Sequence, residues 1–113
     1  MKRKIIIGNW KMNPISQKVT RVLFQSLYSY SKPSKNVTVV ICPPIVYLPI
    51  LSKIPTKLFS LGVQDISQEK EGSHTGEISI AMVKEMKAKY VIVGHSERRE
   101  LGETNELIGE KVS

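Results

Sequence analysis

One cysteine, two histidines and no long apolar run set the limits of this 113-residue chain. Cys42 has no partner for a disulfide within the chain, and it sits inside an apolar segment. A reducing, cytoplasmic compartment is therefore expected. No apolar stretch approaches the roughly 18 residues of a membrane-spanning helix. The N-terminus lacks the apolar core and small-residue cleavage site of a secretory signal. Two distant histidines and a lone cysteine give no metal-ligand spacing, so no metal site is expected. Linkers, low-complexity tracts and composition shifts are absent as well, so residues 1–113 read as one domain. Acidic residues are fewer than basic ones, 10 against 17, for a net charge of +7. Such an excess attracts anions. The basic residues are nevertheless scattered, without the dense block of a nucleic-acid arm. Neither nucleic acid nor a membrane is expected as a partner.

What is present is ordinary in amount and ordered in pattern. Apolar residues make up 41% and charged residues 24% of the chain, as in soluble globular domains. Four β-rich apolar runs recur: Ile5–Ile7, Val37–Ile41, Leu58–Val63 and Tyr90–Val93. They are continuous rather than alternating, which suits parallel strands covered on both faces. Helical patterns lie between them. Val19, Val22, Leu23 and Leu27 share a face, and Ser16 stands where an N-cap belongs. Ile45–Leu51 follows Pro43-Pro44, a pair suited to a helix start, and Ile78–Met86 again carries an apolar face. A fourth helix is expected over Thr104–Val112, with Leu107, Ile108 and Val112 as its apolar side. Strands alternating with helices predict an α/β fold with one parallel sheet. The longest loop runs from Ser67 to Gly76, and long loops beyond parallel strands often carry function.

Two strand ends deliver chemistry. The first run closes on Gly8 and is followed by Asn9 and Lys11; the fourth is followed by Gly94, His95, Ser96, Glu97, Arg98 and Arg99. Carboxyl ends of parallel strands are where α/β enzymes place ligands. Lys11 reads either as a solvated lysine or as a fixed cation for an anionic substrate. Asn9 reads either as a turn residue after glycine or as an amide orienting that cation. His95 reads either as a structural residue or as a group that moves a proton or donates to a carbonyl. Glu97 reads either as part of a charged helix cap or as the partner of Lys11. His74, in the long loop, reads as a surface residue.

Asn9-Trp10-Lys11-Met12-Asn13 and Gly94-His95-Ser96-Glu97-Arg98-Arg99 closely resemble triosephosphate isomerases. The resemblance runs through the whole chain. It includes Cys42-Pro43-Pro44, Gly62-Val63-Gln64-Asp65, the loop Gly72-Ser73-His74-Thr75-Gly76-Glu77, and Gly102-Glu103-Thr104-Asn105-Glu106. It implies a (β/α)8 barrel that interconverts dihydroxyacetone phosphate and glyceraldehyde 3-phosphate without cofactor or metal. In that family's chemistry Lys11 would stabilise the phosphate and the developing enediolate, and Asn9 would help form the oxyanion pocket. His95 would polarise the carbonyl as a neutral imidazole. Glu97 and Ser96 would support these groups. Thr75 would reach from the loop to buttress Asn9 and Lys11 of a partner subunit, with Gln64, Glu77 and Arg98 supporting that interface.

A barrel of this type takes about 250 residues, or about 31 for each strand–helix unit. The chain therefore corresponds to half a barrel, the first four units. The family's catalytic glutamate, the lid after it and the glycine-rich phosphate loops have no counterpart in residues 1–113. Four strands leave two open sheet edges. Barrel-facing side chains such as Ile5, Val39 and Val91 are expected to meet water. The expected partner is a complementary C-terminal half-barrel, a second copy of the chain, or both in turn, with triose phosphate as substrate. Alone, the chain is expected to be nearly inactive.

Overall fold

The computed structural model describes residues 2–30, 36–55 and 57–113. Its elements, in chain order, are β1 (Lys4–Asn9), α1 (Gln17–Tyr30), β2 (Val37–Cys42) and a 3-10 turn (Ile45–Tyr47) that runs into α2 (Leu48–Ser52). They continue with β3 (Phe59–Val63), α3 (Ile80–Glu85), β4 (Ala88–Val91), α4 (Ser96–Glu100) and α5 (Asn105–Val112). The four strands form one parallel sheet in the order β1-β2-β3-β4. Among the described residues β1 and β4 each pair with a single strand, so both sheet edges are open.

The alternation of side chains along the strands sorts the sheet into two faces. One face meets the helices. Ile41, Leu61, Val63 and Ala88 join Phe24, Leu48, Leu51, Ile66 and Val83 in the buried core. The register places Val39 beside Phe59 and Val63 beside Val91, so these side chains also belong to the helix-packed layer. Val39 and Val91 therefore do not face the barrel interior, contrary to the expectation above. Ile5 does stand more than half exposed, as do Ile6 and Ile7. The opposite face carries Val40, Cys42 and Gly62. A Cβ on Gly62 would lie 2.7 Å from Cys42 Sγ and 3.1 Å from Val40 Cγ1, so only glycine fits there.

Helix α1 starts where its cap dictates. Ser16 Oγ accepts from the Val19 N–H at 3.1 Å. Its buried stripe, however, is Thr20 and Phe24 with Leu27 beside them, while Val19, Val22 and Leu23 remain exposed. The hydrophobic pattern is wider than the packed face, and among the described residues none buries Val19, Val22 or Leu23. Helix α3 begins two residues later than the apolar pattern suggests. Ser79 caps it by accepting from the Met82 N–H, and Ile78 uses its carbonyl to accept from the Ser67 N–H instead. Thr104 caps α5 in the same way through the Leu107 N–H.

The last strand departs most from the sequence reading. β4 runs over Ala88–Val91, not Tyr90–Val93. Lys87 enters it with a left-handed φ of 67°, and the pairing steps from Leu61–Ala88 to Gly62–Tyr90. Lys89 is thus the extra residue of a bulge. The ladder continues past the strand through one bond, from the Ile92 N–H to the Val63 carbonyl. Where the pattern suggests at most a charged helix cap, the polar and charged run Ser96–Glu100 is itself a short helix, α4.

Candidate active site

Asn9, Lys11, His95 and Glu97 lie at the carboxyl ends of the two outermost strands. In a flat sheet those strands stand roughly 14 Å apart, three spacings of about 4.8 Å. Twist and curl of a parallel sheet shorten that span. Lys11 Nζ meets Glu97 Oε1 at 2.8 Å, joining the first strand's exit to the helix that follows the fourth.

Backbone conformation and two hydrogen-bond partners fix Lys11. Its φ of 56° is left-handed, an uncommon state for a side-chain-bearing residue. Its N–H donates to Asn9 Oδ1 at 2.9 Å, which spends the asparagine side chain on shaping the turn. Gln64 Nε2 donates to the Lys11 carbonyl at 2.7 Å and to the Cys42 carbonyl at 3.0 Å. Gln64 therefore pins the β1 exit to the β2 exit from its own place after β3. That position is inside the site, nearer to Lys11 than an interface role alone would require.

Glu97 raises the Lys11 ammonium above its usual pKa, by hydrogen bond first and by charge second. The carboxyl of Glu97 is lowered in turn, chiefly by the Lys11 hydrogen bond and further by the charge of Lys11. Both groups stay ionised near neutrality. Both side chains are 54% exposed, so water and salt screen the pair. Its worth lies in where it holds the ammonium rather than in stability.

His95 caps α4. Its Nδ1 accepts from the Glu97 N–H at 3.0 Å. A neutral ring whose Nδ1 accepts must carry its proton on Nε2. The Glu97 carboxylate stands 3.8 Å from the same Nδ1, too far to compete with that bond. The site thus offers one ammonium and one imidazole N–H donor, together with an asparagine amide. Gly94, just before, has a φ of 74°, and a Cβ there would come within 3.0 Å of Ile108 Cδ1. Ser96 opens α4 and is exposed.

Arg98 points away from this group, into an ion cluster within the chain. Its Nε lies 3.2 Å from Asp65 Oδ2 and 3.8 Å from Glu103 Oε2. Lys111 Nζ completes the cluster, 2.8 Å from Asp65 Oδ1 and 2.7 Å from Glu103 Oε2. Lys111 and Glu103 are buried. Burial pulls the Lys111 ammonium down, but the hydrogen bonds it donates to Asp65 and Glu103, together with the charges of those carboxylates, more than offset it and leave the group raised. Glu103 is held below the carboxylate range, first by the Lys111 hydrogen bond. Asp65 adjoins Gln64, and Arg98 sits in the helix capped by His95. The cluster therefore braces the His95 helix against the residue that pins Lys11. The pattern gave one available sign of Lys111, a cation four residues after Leu107 on the inward side of α5. Thr75 and Glu77 lie exposed in the loop, Glu77 lines a cleft together with Gln64, Asp65 and Arg98, and His74 Nε2 stands 3.7 Å from Glu69. Among the described residues no cluster of His, Cys, Asp or Glu could hold a metal ion. None of the described helices is long and apolar enough to cross a membrane.

A family model described as triosephosphate isomerase matches residues 4–113. The chain belongs to the triosephosphate isomerase family. It is 43% identical over 113 residues to a triosephosphate isomerase of Herminiimonas arsenicoxydans, covering 98% of this chain and 45% of that protein. The enzyme of Dictyoglomus thermophilum is 43% identical over 114 residues, covering 99% and 45%. That of Thermoanaerobacter pseudethanolicus is 44% identical over 115 residues, with the same coverage of 99% and 45%. The chain thus spans about half the length of the curated relatives it matches. Its four parallel strands alternating with helices fit the first half of a (β/α)8 barrel.

Proposed function

We propose that this chain supplies the Lys11–His95 half of a triosephosphate isomerase site, and that a C-terminal half-barrel completes it. The single observation that carries this reading is the meeting of Lys11, Glu97 and His95 across the strand ends, with the imidazole tautomer that leaves Nε2–H free to donate. The substrate would be a triose phosphate. Lys11 would balance its negative charge, and His95 Nε2–H would donate to the carbonyl oxygen as the enediolate develops. The base that removes the carbon-bound proton would come from the other half, together with the groups that grip the phosphate and shed water. General-base catalysis is commonly worth about 10² to 10⁴-fold, so residues 1–113 alone would be nearly inactive. No cofactor is called for, since the proton transfers need only side chains. Gln64, Thr75, Glu77 and Arg98 would support a subunit contact, and the cytoplasm is the compartment where the substrate would be met.

The test is an isomerase assay on glyceraldehyde 3-phosphate, with this chain alone and mixed with a C-terminal half-barrel of the family. Activity is expected only in the mixture and is expected to vanish in Lys11→Ala. Turnover by the isolated chain that Lys11→Ala abolishes would sink the claim that a second half is needed.

A second reading is a self-associating half-barrel without catalysis. The half-exposed Ile5, Ile6 and Ile7 on the open edge β1 favour it. A mixture that stays inactive while the chain sediments as a stable oligomer would support it over the first.

A further inference from the structure

At the end of the sheet opposite the proposed site lies a cavity of about 160 Å³. Phe24, Leu51, Ile54, Phe59 and Leu61 form its apolar walls, and Ser52 and Ser60 also line it. The rings of Phe24 and Phe59 meet edge to face with centroids 5.6 Å apart, giving the wall an aromatic corner. Lys87 and Lys89 complete the lining, and no acidic side chain takes part.

Two backbone irregularities bring those lysines there. Lys87 takes a left-handed φ of 67°, and Lys89 is the extra residue of the β4 bulge. Bulges re-aim side chains, and here Ala88 joins the core while its neighbour Lys89 lines the same layer's cavity. Without the bulge, alternation would send one of the two to the other face. Among the described residues neither lysine has an ion-pair partner. The surrounding sequence offers few: the chain has no Asp or Glu before Asp65, so the first two strands and helices bring no carboxylate to this end. Glu85, at the end of α3, is the acidic group nearest in sequence to Lys87 and does not line the cavity.

We propose that this cavity binds a small planar apolar molecule bearing one carboxylate or phosphate. The ring would lie against the partly exposed Ile54 and Phe59, with the buried Phe24 backing Phe59, and the anion would sit between Lys87 and Lys89. The volume suits it, since an apolar cavity of about 150 Å³ accommodates benzene. The two ammonium groups supply the charge complement of an anion, and the apolar wall rejects a fully hydrated one. This site is independent of the proposed catalysis and stands at the amino ends of the strands.

Benzoate and phenyl phosphate are the probes, titrated into the ¹⁵N-labelled full chain. Saturable shifts are expected at Phe59–Leu61 and Lys87–Lys89. Lys11→Ala should retain them. Lys89→Gln, and Lys87→Asn, a residue that tolerates the left-handed backbone, should each weaken binding about ten-fold. The same spectra report whether each variant is folded. Shifts confined to Asn9, Lys11 and His95, an affinity unchanged by both lysine variants, or no saturation would each overturn the proposal.

Discussion

Replacing Lys111 by methionine isolates the buried ion cluster that braces the site. Met keeps most of the side chain's apolar length and removes only the ammonium. Two contacts disappear, at 2.8 Å to Asp65 and 2.7 Å to Glu103. Asp65 retains Arg98 at 3.2 Å, so it is not orphaned. Glu103 loses its main partner while only 3% exposed. Removing one member of a buried pair costs roughly 3 to 5 kcal/mol, most of it from the charge left behind. Against a total of about 5 to 15 kcal/mol for a domain, that is a large share. Urea denaturation followed by circular dichroism would read it directly. The double variant Lys111→Met with Glu103→Leu should recover most of the loss, because an apolar pair of similar volume serves about as well as a buried ion pair. Acid and alkali should act on the same cluster. Glu103 has a lowered pKa in the fold, so its contribution is full above the unfolded value of about 4.3 and fades as pH falls through the folded one. Lys111 is raised, so its contribution is full below about 10.4 and fades as pH climbs through its folded value. Both slopes should flatten in the double variant. A single Lys111→Met variant within 1 kcal/mol of the parent would refute the reasoning.

Gln64→Leu removes two donors, to the Lys11 and Cys42 carbonyls, and should cost about 1 to 3 kcal/mol. It should also speed hydrogen exchange at the Lys11 amide, whose bond to Asn9 depends on the same turn; unchanged exchange would mean that Gln64 does not hold Lys11. Gly94→Ala forces a side chain into a φ of 74° and against Ile108, so a loss of about 1 to 3 kcal/mol or more is expected in thermal melts. Cys42 is fully buried, and burial pushes its thiol up to about 11, so it should resist iodoacetamide at pH 8 until the chain unfolds.

The fold was legible because apolar runs of the right length alternate with capped helices, and Ser16 and Thr104 announce two of those caps. The errors have physical sources. Val19, Val22 and Leu23 read as a core stripe, yet Thr20 and Phe24 are the residues that pack, because a helical apolar period does not say which part of a broad apolar arc meets the sheet. β4 was displaced by two residues because a left-handed lysine and a bulge have no signature in hydrophobic periodicity. Val39 and Val91 lie on the helix-packed face rather than the barrel-facing one because register, which a single strand cannot reveal, decides the face. Helix α4 was hidden because five charged or polar residues carry no apolar period; its stability comes from the His95 cap and its ends. The pairing of Lys11 with Glu97 was visible only as one of two readings. Apart from the inward position of Lys111 on α5, the Asp65–Glu103–Lys111 cluster has no sign in the sequence, because residues 46 and 8 positions apart meet only in three dimensions.

The site is placed where the sheet is least supported. Lys11 follows β1 and His95 follows β4, and these are the two strands with an open edge. An open edge leaves backbone donors and acceptors to water and lets the strand breathe. The ends that carry the candidate site are therefore held from within. Gln64 ties the β1 exit to β2, the Asp65 cluster ties the His95 helix to β3, and Lys11–Glu97 links the two outer exits. The central strands, through consecutive residues Gln64 and Asp65, thus steady both halves of the pair. This arrangement explains how the Lys11–His95 geometry can exist in residues 1–113. It also says what a second half would add. Strands laid along β1 and β4 would remove the free edges, cover Ile5–Ile7 and Val19 or Val22, and lower the freedom of the exits that the internal ties restrain only partly. Slower amide exchange along β1 and β4 on mixing with a C-terminal half-barrel, with little change in β2 and β3, is the pattern this division of labour requires.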